Sequence, residues 1–171
     1  MPSPRTIFVL LLIVAALQCA FYYPRLPGTV ASHFNGEGYP NDWSSKSVFF
    51  GIILAIAAMN AFFFLVMPGW FPRFSQARMN LPHKEYWLAP ERLQETHRYI
   101  RTQTLWFGVA SMVLMIGVTQ MAIEANLSTQ PALSPGAFKL LIAYFVFVAA
   151  WLVRFFVRFL RPRPEDGNGT P

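Results

Sequence analysis

The sequence predicts an all-α integral membrane protein. It should have four transmembrane helices, a structured extracytoplasmic loop between the first two, and a cytoplasmic amphipathic helix before the third. Three observations predict it. Of 171 residues, 54% are apolar and only 13% are charged, whereas a soluble domain carries about 25% charged residues. The apolar residues gather in four long runs, and the basic residues sort to alternate loops. The same composition excludes a disordered chain, which would be poor in apolar residues. A single cysteine excludes a disulfide scaffold and a thiolate-rich metal centre.

A helical span needs about 20 predominantly apolar residues. Within lipid only helices or closed barrels satisfy every backbone group. The spans are expected at about 6–23, 47–67, 104–124 and 137–160. The first follows Arg5 in the manner of a signal peptide, but Gln18-Cys19-Ala20-Phe21 makes a poor cleavage site. Gln18 also stands where a lipidated cysteine would be preceded by a small residue, so the segment reads as a retained span. The second span has Asn60 as its one strongly polar member. The third contains Ser111, Thr119 and Gln120; Asn60 and Gln120 are expected to hydrogen-bond between helices. The fourth continues past its apolar centre by letting Arg154 and Arg158 snorkel.

Four spans put both termini on one side. That side collects Arg5, Arg73, Arg78, Lys84, Arg92, Arg98, Arg101, Arg154, Arg158, Arg161 and Arg163. The other side holds only Arg25, Lys46 and Lys139. The positive-inside rule therefore places the termini and the central loop in the cytoplasm. This bias accounts for the net charge of +6 without a nucleic-acid partner. The bilayer is the expected partner, and the basic run from Arg154 to Arg163 is expected to anchor the fourth span on anionic lipid.

The first outward loop, 24–46, reads as compact. Residues 29–34 suit an extended segment with Val30 and Phe34 as its larger apolar members, and 35–38 suit a turn. Pro40-Asn41-Asp42 offers a second turn, Ser44 or Ser45 a helix cap, and Trp43 a headgroup-level aromatic. In the cytoplasmic loop, Pro68-Gly69-Trp70-Phe71-Pro72 should end the second span with aromatics at the interface. Pro90 and Glu91 suit a first helical turn, and Leu93, His97 and Ile100 share one face of an amphipathic helix. The last loop, 125–136, reads as a tight connection. Its Asn126-Leu127-Ser128 fits a glycosylation acceptor, a tripeptide common by chance. Residues 161–171 read as a disordered tail. The whole of 1–160 reads as one membrane domain.

Chemistry-bearing residues are few. His33 with Asn35, Glu37, Asp42, Trp43 and Lys46 forms a candidate ligand-binding group in the outer loop. The simpler expectation for His33 is a hydrogen bond to loop backbone that holds the turn. His83 and His97 lack metalloprotease spacing, and no nucleophile elbow, phosphate loop or dinucleotide fingerprint occurs. No catalytic residue, metal set or cofactor is therefore assigned. Glu124 ends the third span and is expected to pair with Lys46, Arg25 or Lys139, pinning the first loop to the bundle. No charge lies deep in a span, which argues against an autonomous transporter.

Two stretches carry a resemblance. Leu26-Pro27, Val30, His33-Phe34-Asn35, Gly38, Pro40, Trp43 and Ser45-Lys46 resemble the signature of the bacterial membrane family of domain of unknown function 1648 (DUF1648). Pro82-His83, Tyr86-Trp87-Leu88 and Pro90-Glu91-Arg92 look like a second signature of many members, which makes Tyr86, Trp87, Pro90, Glu91 and Arg92 structural or interface candidates. Larger relatives include a toxin-immunity protein that signals through a repressor. The resemblance implies an immunity or sensing role. It does not carry over repressor capture, because only four spans are expected here against the larger number in those relatives, and it brings no catalytic site. Three functions follow for test: a non-enzymatic binding or sensing protein for an extracytoplasmic peptide or envelope component; a small accessory subunit of a larger membrane complex; and a membrane enzyme using His33 with Glu37 or Asp42.

Overall fold

The computed structural model describes residues 2–70 and 81–160. Phe71 and Pro72 of the aromatic turn, the cations Arg73, Arg78, Arg161 and Arg163, and the expected tail at 161–171 lie outside the described residues. Among the described residues, five α-helices and one hairpin run in the order α1 (Pro4–Tyr22), β1 (Thr29–Phe34), β2 (Pro40–Ser45), α2 (Lys46–Ala61), α3 (Lys84–Trp87), α4 (Pro90–Leu127) and α5 (Gly136–Leu160). Among the described residues, four helices are long and apolar enough to cross a membrane: α1, α2 with its extension to Gly69, α4 and α5. Large side chains such as Leu17, Ile142, Val146 and Val153 are more than 60% exposed on them. A surface of that kind has its match in lipid.

Local chemistry explains the helix ends. Ser3 caps α1 through Oγ, which accepts from the Thr6 N–H at 3.1 Å, and Pro4 follows at the first helical position. Ser45 ends β2 and caps α2 at once, accepting from the Val48 N–H at 3.3 Å. The hairpin therefore feeds the second span without a linker. α2 passes into a π-helical turn over Phe62–Val66 and a 3-10 turn over Met67–Gly69. Pro68 explains the change of pitch: it has no N–H to give, and its ring would meet the carbonyl four residues back. The Met67 N–H reaches five residues back to the Phe62 carbonyl instead.

α4 touches each of the other spans. Its 38 residues make a rod about 57 Å long at 1.5 Å per residue, against about 30 Å of hydrocarbon. The polar first three turns, with Glu91, Glu95, Arg98 and Arg101, are the part that projects. The expected amphipathic helix and third span are thus one unbroken helix, opened by Pro90 at its first position. It also runs to Leu127, two residues past the expected start of the last loop.

The core has two centres. Near the hairpin, Cys19, Leu26, Val30, Phe49, Phe50, Ile53, Ala122 and Ile123 are buried together. Farther along the bundle, Phe8, Ala15 and Met112 are buried against Phe64, Leu65 and Ile116. Gly108 makes the second centre possible, because a Cβ there would lie 2.6 Å from Phe64 Cγ and 2.8 Å from its Cβ. Gly117 differs, since only the flexible tip of Leu140 lies within 3 Å. Gly108→Ala is expected to cost about 1–2 kcal/mol after the helix-propensity gain, and Gly117→Ala less than about 1 kcal/mol. Unfolding of both variants in detergent checks the contrast.

Asn60 does not reach another helix as expected. Its Nδ2 donates to the Ile56 carbonyl of its own helix at 2.9 Å. Gln120 does bridge: Gln18 Nε2 donates to Gln120 Oε1 at 2.9 Å and to the Ile116 carbonyl at 3.2 Å. Gln120 Nε2 in turn donates to the Tyr22 hydroxyl at 3.0 Å.

Candidate functional site

The hairpin is antiparallel, pairing Thr29 with Ser45, Val30 with Ser44, Ala31 with Trp43, His33 with Asp42 and Phe34 with Pro40. The register slips around His33. Its turn is built by Asn35, whose Oδ1 accepts from the N–H groups of Glu37 at 3.0 Å and Tyr39 at 2.9 Å. Gly38 closes it at φ +87°, a conformation that disfavours any side chain, with the Leu133 carbonyl 3.2 Å from where a Cβ would stand. The expected second turn at Pro40-Asn41-Asp42 is not formed. These residues open β2 instead, because one turn at 35–38 already brings the chain back onto β1.

The hairpin is fastened to the bundle, though by other residues than Glu124. Asn126, buried at 8% exposure, lies against the free edge of β1. Its Oδ1 accepts from the Ala31 N–H at 2.7 Å, and its Nδ2 donates to the Ala31 carbonyl at 3.0 Å and to the Ala122 carbonyl at 2.9 Å. One amide thereby does what a neighbouring strand would do. The Leu133 N–H adds a bond to the Gly38 carbonyl at 2.9 Å. Asn126 is the residue of the glycosylation tripeptide, and its amide is buried and hydrogen-bonded. Glu124 accepts from Gln120 Nε2 at 2.8 Å rather than from a loop cation. Lys46 Nζ donates to the Leu26 carbonyl at 3.3 Å, and the guanidinium of Arg25 lies 3.5 Å over the Phe21 ring while donating to the Phe21 carbonyl.

His33 also departs from the expected backbone bond. Its Nδ1 lies 2.6 Å from Asn41 Oδ1, a side-chain pair across the two strands. Asp42 Oδ1 accepts from the Trp43 N–H at 2.8 Å, Glu37 stands exposed at the turn, and Trp43 is 51% exposed. These groups do not gather. Among the described residues no three His, Cys, Asp or Glu side chains come together as a metal set.

What His33 does border is a cavity of about 520 Å³ beneath the hairpin. β1 roofs it with Ser32, His33 and Phe34. α2 walls it with Phe49, Ile52 and Ile56, α4 with Leu114, Val118 and Thr119, and α5 with Leu141. The lining is apolar except for Ser32, His33 and Thr119. Ligand sites have this size and this ratio of apolar wall to placed polar groups. The outer-loop candidates are therefore divided: His33 borders the cavity, Asn35 and Lys46 hydrogen-bond within the loop, and Glu37, Asp42 and Trp43 are exposed. The walls on α4 and α5 carried no signal in the sequence, since an apolar cavity wall and an apolar lipid contact use the same residues.

At the opposite end, Trp87 is buried on α3 and donates from Nε1 to the Phe159 carbonyl of α5 at 3.0 Å. Tyr86 packs edge-on against Trp87, and the guanidinium of Arg92 lies 4.0 Å over the Tyr86 ring. Pro90 and Glu91 form the first turn of α4. His83 precedes α3 in left-handed backbone, at φ 51°. These contacts join α3 to α4 and α5.

No curated protein and no solved structure matches the chain. The Pro82 to Arg92 stretch lies outside the one matched segment. Residues 9–59, which run from within α1 through the whole hairpin to within α2, match the model of the family described as domain of unknown function (DUF1648).

Proposed function

We propose that this protein is a non-enzymatic binding protein of the inner membrane, with both termini cytoplasmic and the hairpin facing out. It would receive an extracytoplasmic peptide or envelope component, in a sensing or immunity role. One observation carries the reading: the hairpin is fastened to α4 through Asn126 and roofs an apolar cavity of about 520 Å³ with His33 at its border. A ligand with an apolar segment would fill the cavity and place its polar part at Ser32 and His33. The excess of basic residues at the end away from the hairpin supports the orientation.

A photo-crosslinking residue at Ile52 tests it in cells under envelope stress. The expected product is a peptide or a defined envelope component, and Leu141→Trp, which fills the cavity, should cut its yield roughly tenfold, as a loss of about 1.4 kcal/mol would. Crosslinks only to bulk phospholipid, together with His33→Ala and Trp43→Ala strains that behave as wild type, would remove the reading. An accessory-subunit role is favoured by a separate observation: α5 packs mainly on α4, leaving most of its surface open. Co-purification of a stoichiometric membrane partner in mild detergent, lost on substitution of Val146 and Val153, would support that role.

A further inference from the structure

The basic run of α5 is divided by the structure. Arg158 is engaged: its Nη2 meets Glu95 Oε1 at 2.8 Å, and its guanidinium lies 4.1 Å over the Tyr99 ring. Arg154, one turn earlier, is exposed and has no hydrogen bond or ion pair among the described residues. It stands at the end of a groove of about 510 Å³ between α4 and α5. Gln103 faces it from α4, and below them the walls turn wholly apolar, through Trp106 and Trp151 to Ala110 and Phe147. From Gln103 to Ala110 the groove descends about 10 Å at 1.5 Å per residue.

Depth and polarity run together. Arg101, the last charge of α4 before its apolar stretch, lies half a turn from Gln103, so the polar end of the groove is at the membrane surface. The apolar end points toward the bilayer centre. Ala110 and Ala150 leave room where larger side chains would close the gap. Trp151 lines the groove with its ring, and its indole Nε1 is buried without a hydrogen-bond partner among the described residues. A cation and an amide above and an apolar channel below follow the profile of one molecule type.

We propose that the α4–α5 groove is a binding site for an anionic phospholipid, with its phosphate on Arg154 and Gln103 and one acyl chain along Trp106, Ala110 and Phe147. This site is separate from the cavity under the hairpin and does not depend on the function proposed for it. It also differs from diffuse attraction of a basic surface to anionic lipid, because it assigns the preference to one arginine and one groove.

Purified, delipidated full-length protein is titrated separately with dioleoyl phosphatidylglycerol and dioleoyl phosphatidylcholine, and bound lipids are counted by native mass spectrometry. The wild type should prefer the anionic lipid in its first bound copy. Arg154→Gln should reduce that preference roughly fivefold, the scale of one basic residue at a membrane surface. Arg154→Lys should keep most of it, and Arg98→Gln, exposed on α4 outside the groove, should keep all of it. Ala150→Trp fills the groove without touching a charge and should lower first-copy binding of the anionic lipid by a similar factor. Unfolding curves identify any variant that is misfolded, and the remaining variants decide. Unchanged preference in Arg154→Gln, an equal loss in Arg98→Gln, unchanged binding in Ala150→Trp, or displacement of the lipid by millimolar inorganic phosphate would each overturn the proposal.

Discussion

Asn126→Ala is expected to release the hairpin from the bundle at a cost of about 2–4 kcal/mol, the penalty of leaving two buried backbone groups unpaired. The substitution removes the partner of both the N–H and the carbonyl of Ala31, a residue with no exposed surface. A nearby side chain offers no substitute, and water reaches the site only if the hairpin lifts. The chain contains its own reporter of that lifting. Its single cysteine, Cys19, is 5% exposed and belongs to the cluster that Leu26 and Val30 of the hairpin segment cover. Maleimide labelling of Cys19 should therefore accelerate roughly thirtyfold, the factor that about 2 kcal/mol gives for local opening. Asn126→Asp should be no better. It keeps an acceptor for the Ala31 N–H but turns a carboxylate toward the carbonyls of Ala31 and Ala122, where the amide donates. An unchanged labelling rate in both variants would show that Leu133 and the apolar contacts hold the hairpin alone. Because the amide is enclosed, expression in a glycosylating host should leave Asn126 unmodified.

The parts of this fold legible in the sequence are those governed by near neighbours or by the solvent. Hydropathy located the four spans, because lipid sets one length and one polarity for them all. β1 was readable because Val30 and Phe34 flank it and Asn35 to Gly38 can form only a turn. β2 was not, because Asn41, Asp42 and Trp43 all face outward and no alternation of apolar residues marks a strand. Pairing with β1 creates that strand, and pairing is a property of two segments. The same limit hid the role of Asn126, which meets Ala31 across 95 positions. A lone amide at the end of a span is equally a surface residue, a glycosylation acceptor or a buried clamp until its partner is known. The expectation tied the first loop to the bundle through an ion pair of Glu124, whereas the contacts present are Asn126 on Ala31 and Gln120 on Glu124. In a site closed to water, a neutral amide satisfies a strand edge without the cost of burying a charge.

Trp87→Ala is expected to cost about 3–5 kcal/mol, the range for removing a buried aromatic, and to free α3 and the end of α5 together. Trp87 is 7% exposed and the Phe159 side chain against it 1%, with ring centroids 5.4 Å apart. Its indole donates to the Phe159 carbonyl, and its own carbonyl accepts from Thr96 Oγ1 at 2.8 Å. It therefore joins three helices, and the neighbouring Arg158–Glu95 ion pair cannot replace it. Those side chains are 32% and 69% exposed, and exposed pairs contribute only about 0–1 kcal/mol. Glu95→Gln should accordingly shift unfolding by less than about 1 kcal/mol. Trp87→Phe separates packing from hydrogen bonding: it keeps most of the ring contact but leaves the Phe159 carbonyl without its indole donor, at about 1–2 kcal/mol. Trypsin gives the local readout. Cleavage after Lys84 and Arg92 should accelerate strongly in Trp87→Ala, slightly in Trp87→Phe and not at all in Glu95→Gln, while Cys19 labelling at the far end stays at the wild-type rate. If Glu95→Gln opened α3 as much as Trp87→Ala did, electrostatics rather than aromatic packing would hold this end of the bundle.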